Sequence, residues 1–487
     1  MLASENHKIL SGLFWTFFEK IGSQGISLVV SVILARLLMP EQFGLIAMLG
    51  IVMSICNTFI DCGFGAALIQ KKNADSLDFN TVLYSSTIIG LFLYIIAFFC
   101  APLCATFFNE PQLIAIMRIY TLSFFWTGYN SILLTYISKR MQFKKMFKRT
   151  MIATIFSGLV GVFMAYTGAG VWALVAQSFT GSILGIIVLQ ASIEWKPKFQ
   201  YSWLRAKELL PFGSKIMLAS LIGSTFDELK GLLVGKMYSA ADLAQFNRGG
   251  SIPYLLANNI NASLGTVLFP AMSKHGNNRD EIRQMTRRTI QLGSYIQFFF
   301  LTTLIVISEP LIRILLTEKW IACVPFMQMF CIQKMLEILS TANLQALKAV
   351  GEGNTIVKLE ILKKPVFLAM TIIGANISVY ALAVTLPLYA LYANLINMWP
   401  NKTILMYGML NQIRDLMPAT ILSLLIFVAG YPINFTDFSD TAKILCGTLI
   451  CTIIYILISY ITKTESLTHC IESAKTMKNN LFNKSSH

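Results

Sequence analysis

The chain has 487 residues, 55% of them hydrophobic and only 13% charged, with a net charge of +15 and a mean hydropathy of +0.63. Soluble globular chains carry about 25% charged residues, so this composition excludes a soluble protein with a large core and implies an integral membrane protein. The cations are spread over connections between apolar blocks rather than gathered on one face, which argues against nucleic acid as a partner.

Blocks long enough to cross a bilayer as helices are predicted at residues 12–35, 43–69, 81–105, 112–137, 150–167, 169–193, 209–237, 242–271, 288–308, 322–347, 356–375, 378–400, 415–433 and 442–462. This is the pattern of an all-α membrane protein with about fourteen transmembrane helices. The first block is expected to be retained as a span, because Glu5 and Lys8 precede it and no A-x-A site ends it. The block at 242–271 is the least apolar, with several Asn residues, Arg248 and Pro253.

The connections alternate in charge. With the N-terminus placed in the cytoplasm and cations toward span ends counted with the connection they adjoin, 28 of the 39 Lys and Arg fall on inward connections and tails, five on outward connections, and six within spans. The positive-inside rule then puts both termini in the cytoplasm. The basic run SKRMQFKKMFKR (Ser138–Arg149) joins two spans, which suits contact with anionic lipid headgroups. Outward connections are short, leaving no room for an external catalytic domain. Nine cysteines without a C-x-x-C pair read as small apolar residues. The four histidines, His7, His275, His469 and His487, all fall in polar tails or loops. No Walker loop, H-E-x-x-H or G-x-S-x-G motif occurs.

A weak internal repeat places span two on span eight and span three on span nine. FIDCGFGAALIQ (Phe59–Gln70) aligns with NINASLGTVLFP (Asn259–Pro270), and APLCATFFNE (Ala101–Glu110) with EPLIRILLTE (Glu309–Glu318). Six spans separate the copies, so two six-helix lobes are expected, related by a pseudo-two-fold along the membrane normal, as in many secondary transporters. The expected divisions are 1–205 and 206–410 for the lobes, 411–463 for two additional helices, and 464–487 for a cytoplasmic tail.

Charges inside spans are expensive and mark function by default. In FWTFFEKIGSQG (Phe14–Gly25) and its continuation, Glu19, Lys20, Ser23, Gln24, Ser27 and Ser31 share one face of a helix, opposite Phe14, Phe18, Ile21, Leu28 and Val32. Gly22 and Gly25 suit close helix approach. A second polar stripe runs through Arg248, Ser251, Asn258, Asn259 and Thr266. The cations and amide that could hold a diphosphate or sugar are Lys20, Arg118, Lys215, Lys230, Arg248, Asn259 and Lys334. The acids that could take a coupling ion are Glu19, Asp61, Asp227, Glu228 and Glu337. Structural roles compete for several of these. Lys334 with Glu337 and Asp227 with Lys230 are spaced to pair along one helix, Arg118 and Lys215 lie near span ends where they can snorkel, and Asp61 can cap a helix break.

SGLFWTFFEKIGSQGISLVVSVILARLLMPEQFGLIAM (Ser11–Met48) and DCGFGAALIQKKNADSLDFNTV (Asp61–Val82) resemble the opening of Wzx-type polysaccharide flippases. These form the colanic-acid and teichuronic-acid exporter branch of the multidrug/oligosaccharidyl-lipid/polysaccharide exporter superfamily. The resemblance implies a transporter rather than an enzyme, working by alternating access between two lobes. It implies a substrate of undecaprenyl-diphosphate-linked oligosaccharide, turned from the cytoplasmic to the outer leaflet of the bacterial inner membrane for O-antigen, capsule or exopolysaccharide assembly. The two C-terminal helices would then form a groove for the lipid tail. No cofactor or metal is expected; the coupling ion would be H⁺ or Na⁺. Membrane lipids and the pathway's polymerase and glycosyltransferases are the expected partners of a monomer. A multidrug/cation antiporter of the same fold is the alternative, disfavoured by an interior richer in cations than acids. A membrane-embedded glycan polymerase, ligase or acyltransferase is the second.

Overall fold

A computed structural model describes residues 2–274 and 278–465, with side chains described except at 2–14, 17, 263–267, 269–271 and 274. His275, His469, His487, Cys470, the side chains of His7 and Thr266 and the expected tail beyond Glu465 lie outside the described residues. The described residues are helical, with no strand, as expected where the bilayer offers the backbone no hydrogen bonds of its own. The helices are α1 (Leu2–Leu37), α2 (Pro40–Asp61), α3 (Phe64–Gln70), α4 (Ser76–Phe108), α5 (Leu113–Tyr120), α6 (Phe124–Lys139), α7 (Phe143–Tyr166), α8 (Val171–Ser192) and α9 (Trp203–Met237). They continue as α10 (Ala240–Lys274), α11 (Arg279–Val306), α12 (Ser308–Leu316), α13 (Val324–Val350), α14 (Gly353–Ile377), α15 (Val379–Met398), α16 (Asn401–Ile404), α17 (Met409–Gly430) and α18 (Asp440–Ile461).

Eleven helical segments among the described residues are long and apolar enough to cross a membrane. The three other expected spans are also helical. The first is interrupted by a 3₁₀ turn at Thr121–Ser123, between α5 and α6. The second lies within α10, and the third, within α14, carries Lys358, Glu360, Lys363 and Lys364. The chain is a multi-pass, all-helical membrane protein.

The chain divides into two compact units between Ala244 and Gln245, inside α10. In the first unit α9 packs against α2, α3 and α4, and α7 pairs with both α1 and α8. In the second, α11 is the central helix, contacting α13, α17 and α18, and most of its length is buried.

Several cations of the basic connections act locally. Asp75 caps α4 by accepting the Asp78 N–H at 2.9 Å, and this bond, strengthened by nearby Arg205 and Lys71, holds the Asp75 carboxyl below its usual range. The fully buried Asp78 pairs with Lys71 at 2.9 Å and Arg205 at 3.3 Å, tying α4 to the end of α3 and the start of α9. Lys139 Nζ donates to the Leu68 carbonyl at 2.6 Å, completing the C-terminus of α3.

The α2–α3 break follows from two left-handed residues, Cys62 at φ 46° and Gly63 at φ 64°. A Cβ on Gly63 would lie 2.1 Å from the Gly213 carbonyl oxygen of α9, so close approach joins backbone freedom in requiring glycine here. The expected close approach at Gly22 and Gly25 is not where the backbones meet. Gly22 faces only the Met151 side chain, and Gly25 has nothing within 4 Å. Gly63→Ala is therefore expected to destabilise the protein by about 2 kcal/mol or more, while Gly25→Ala leaves the thermal midpoint in detergent unchanged or raised. Equal midpoints for the two variants would refute the Gly63 contact.

Candidate functional site

The first unit contains a cavity of about 540 Å³, with both polar and apolar walls, within its own bundle. Its walls are α1, α7 and α8, with Tyr120 and the start of α2 closing it. The helices approach on small residues. A Cβ on Gly158 of α7 would fall 2.5 Å from Val30 of α1, and one on Gly161 would fall 3.0 Å from Gln177 of α8. Where the facing residues are Ser27, Ser31, Ser157, Ser178 and Ser182 rather than larger apolar ones, space remains and is lined by hydroxyls. The lining of α8 runs from Leu174 to Ser182, eight residues or about 12 Å at 1.5 Å per residue. Of the polar stripe read on α1, Ser27 and Ser31 line this cavity and Glu19 is buried near its end, while Lys20 is exposed.

Two residues of α7, Arg149 and Thr150, form one end of this cavity. Thr150 Oγ1 donates to Glu19 Oε1 at 2.7 Å, and Glu19 is buried, 8% exposed. Arg149 lies close enough for its charge to act on Glu19. Its Nη2 donates to Asn130 Oδ1 at 3.1 Å, while its buried Nε has no hydrogen-bond partner among the described residues. Gly185 of α8 makes room for this guanidinium, since a Cβ there would sit 2.8 Å from Nε. The apolar window of α1 begins at Phe18, so Glu19 stands in its first turn, at the end where the basic run Ser138–Arg149 enters the bundle.

The other expected site residues of this unit do not join the cluster. Lys20, Lys215, Asp61 and Asp227 are exposed, and Lys230 and Glu228 are half-buried. Asp61 is the last residue of α2, beside Ser131, at the break its sequence context suggested. Arg118 is held by α4, with Nε 3.5 Å from the Phe98 carbonyl and its guanidinium 4.4 Å from the Phe98 ring centroid. Sequence reasoning missed Arg149, counting it with the loop cations. The signal was its spacing: Arg149, Ala153 and Ser157 lie four apart on one face of α7, opposite the Gly181–Gly185 step of α8.

In the second unit Lys334 of α13 is buried, 7% exposed. It pairs with Glu337 at 2.6 Å, approaches Asn258 Oδ1 at 3.5 Å, and lies 4.1 Å from the Tyr254 ring centroid. The i,i+3 pairing is therefore realised, and α10 supplies the rest of the environment. Arg248 lies over the Trp320 ring at 4.9 Å. Asn259 is exposed.

Residues 33–325 match the family described as "Polysaccharide biosynthesis protein". The chain belongs to this family. Among curated relatives it is 23% identical over 389 residues to the lipopolysaccharide biosynthesis protein WzxC of Escherichia coli (strain K12), covering 79% of this chain and 78% of that one. It is 24% identical to the succinoglycan biosynthesis transport protein ExoT of Rhizobium meliloti (strain 1021), covering 70% and 69%. With the teichuronic acid biosynthesis protein TuaB of Bacillus subtilis (strain 168) it is 23% identical, covering 72% and 74%. Among solved structures, the lipid II flippase MurJ in an inward closed conformation superposes with a TM-score of 0.73 at 15% identity, covering 93% of this chain and 98% of that one. An inward-facing MATE family multidrug resistance transporter of the MOP superfamily gives 0.60 at 14%, covering 81% and 95%. The fold is the one these transporters share.

This polysaccharide biosynthesis protein also carries an apolar trough of about 660 Å³ in its second unit, lined by residues such as Phe298, Ile305, Met335, Leu416, Leu424 and Phe427. Of the two C-terminal helices, only α17 faces it. Tyr455 and Ser459 of α18 bond instead to Tyr295 of α11.

The packing of Arg149 against Gly185 is open to a double-mutant cycle. Gly185→Ala is expected to lower the thermal midpoint in the native background and to have little effect on Arg149→Ala, with a coupling of about 1 kcal/mol or more. Additive effects would show that the guanidinium does not occupy this space.

Proposed function

We propose that this protein moves polyprenyl-diphosphate-linked oligosaccharides from the cytoplasmic to the outer leaflet of a bacterial inner membrane, with both termini in the cytoplasm. The observation that carries this reading is the hydroxyl-lined cavity of the first unit, ending at Arg149. A guanidinium with an unpartnered Nε and five serines in one cavity suit sugar hydroxyls and anionic groups. Family membership supports polysaccharide as the end product, and the names of ExoT and MurJ, a transport protein and a flippase, support movement rather than bond-making. The apolar trough along α17 supports a berth for the polyprenyl tail.

In this reading Lys20, Arg118, Lys215, Lys230, Arg248, Asn259 and Lys334 are the further candidates for contact with diphosphate or sugar along the route. Asp61, Asp227, Glu228 and Glu337 join Glu19 as candidates for a coupling H⁺ or Na⁺. The polymerase and glycosyltransferases of the same pathway are the proposed partners. A cation antiporter is the weaker reading, because Glu19 already answers to a resident cation, Arg149.

Depletion of the protein is expected to accumulate a complete, unpolymerised, lipid-linked repeat unit that a membrane-impermeant sugar label on spheroplasts does not reach. Mass spectrometry of the extracted lipid identifies it. Accumulated repeat unit that the label does reach would replace the flippase reading with a polymerase or ligase. In the same cells, Arg149→Gln is expected to reduce export at least about tenfold, a loss of about 1.4 kcal/mol in effective interaction, at unchanged membrane abundance. Undiminished export by that variant would remove the cavity from the route.

A further inference from the structure

The short connection between α16 and α17 is held by a closed ring of buried amides. Asn343, Asn401 and Gln412 are fully buried. Asn343 Nδ2 donates to Gln412 Oε1 at 2.8 Å, Gln412 Nε2 to the Tyr407 carbonyl at 3.1 Å, and the Tyr407 N–H to the Asn401 carbonyl at 3.0 Å. Asn401 Nδ2 closes the ring by donating to Asn343 Oδ1. Linked buried amides restrict the loop between them, although Asn401 Oδ1 has no partner among the described residues, and the loop so held includes Met406 in left-handed backbone at φ 53°.

The ring positions Tyr407, whose hydroxyl donates to Asp415 Oδ2 at 2.7 Å. Burial, followed by the bond to Asp415, pushes the Tyr407 hydroxyl well up, so it stays a donor. Asp415 Oδ1 also accepts from Arg287 Nε and from Gln291 Nε2, both at 2.9 Å. Both carboxylate oxygens are thereby engaged, and the acid orients Arg287 instead of standing open to a ligand.

Tyr407 and Asp415 of this framework also line a cavity of about 560 Å³, together with Arg283, Arg287 and Arg414 and with Gln284 and Asn411 as further donors. Two other acids touch the arginines from the rim. Asp280 lies 3.0 Å from Arg283 and Glu465 lies 3.9 Å from Arg287; their side chains are 73% and 68% exposed, so water screens them. No acid lies within ion-pair distance of Arg414 among the described residues. Met406, which lines the cavity, and Leu410, near it in the chain, are exposed apolar side chains, 77% and 82%.

We propose that this cavity binds a phosphate group, supplied by the headgroup of an anionic membrane phospholipid. Arginine forks match phosphate oxygens in pairs. The cavity opens at the ends of two membrane-crossing helices, α11 and α17, on the side of the second unit where basic residues concentrate. Met406 and Leu410 offer contact to the acyl region below such a headgroup. The site lies outside the first-unit cavity and does not depend on the transport reading.

The test uses purified full-length protein and native mass spectrometry, titrated with phosphatidylglycerol, phosphatidylethanolamine or sodium phosphate. Arg283→Gln/Arg414→Gln leaves the Arg287–Asp415 pair in place, and its thermal midpoint reports folding. The expected result is at least a tenfold loss of phosphatidylglycerol binding in this variant, with phosphatidylethanolamine binding unchanged. Met406→Ser/Leu410→Ser is expected to weaken phosphatidylglycerol but not sodium phosphate. Arginine-dependent binding of sodium phosphate without arginine-dependent phosphatidylglycerol binding would overturn the lipid source in favour of a soluble phosphate. Equal binding of all three probes by the folded arginine variant and the native protein would overturn the site.

Discussion

A charged side chain stays ionised inside an apolar bundle only where other groups of the bundle replace its water. Each buried charge among the described residues meets that condition within its own unit. Glu19 has the Thr150 hydroxyl and the Arg149 field. Lys334 has Glu337 and the Tyr254 ring, and Lys363 has Glu360 at 2.6 Å and Asn397 at 3.0 Å. Arg118 uses a carbonyl and the face of Phe98. The partners come mostly from neighbouring helices or from one turn away, so the charges fix which helix faces meet as well as where polar surface survives.

Small residues do the complementary work. Leucine-sized contacts would have filled the space between α1, α7 and α8. Glycine at 158, 161, 181 and 185 draws the helices together, and serine at neighbouring positions leaves hydroxyls around what is not filled. Gly185 shows the two effects at one position, since the missing Cβ admits the guanidinium that balances Glu19. The same logic governs Gly63, where the absent side chain lets the α2–α3 break touch the α9 backbone.

Much of this was legible in the sequence because bilayer thickness and helical period leave few choices. Each of the fourteen apolar blocks falls on helix, and the α1 stripe through Ser27 and Ser31 faces the cavity. Periodicity reports which face is polar, but not which neighbour answers it. Arg149 adjoins a run of loop cations, and only its four-residue spacing from Ala153 and Ser157 separates it from Lys148, yet α7 turns it inward toward Asn130. Lys20, one residue from Glu19, is exposed while Glu19 is buried. The expected lobe edge at residue 205 followed a basic connection, whereas the packing of α9 on α2, α3 and α4 is decided by contacts distant in sequence. The amide ring of Asn343, Asn401 and Gln412 spans about 70 residues and has no local signature.

The resident arginine bears on what the first-unit cavity can accept. A lone buried carboxylate would attract a free cation. Here Thr150 donates to Glu19 Oε1 and the charge of Arg149 acts on Glu19 from nearby, so a second cation would meet the field of the guanidinium. Arg149 bonds Asn130 through Nη2 and its Nε has no partner among the described residues, so the hydrogen-bonding capacity that remains there is that of a donor. Serine hydroxyls along the walls donate or accept by rotation. In the proposed reading, a cavity with one fixed cationic donor and several adaptable hydroxyls suits neutral sugars and anionic groups better than lipophilic cations, and that preference follows from the position of a single residue, Arg149, opposite the glycine that accommodates it.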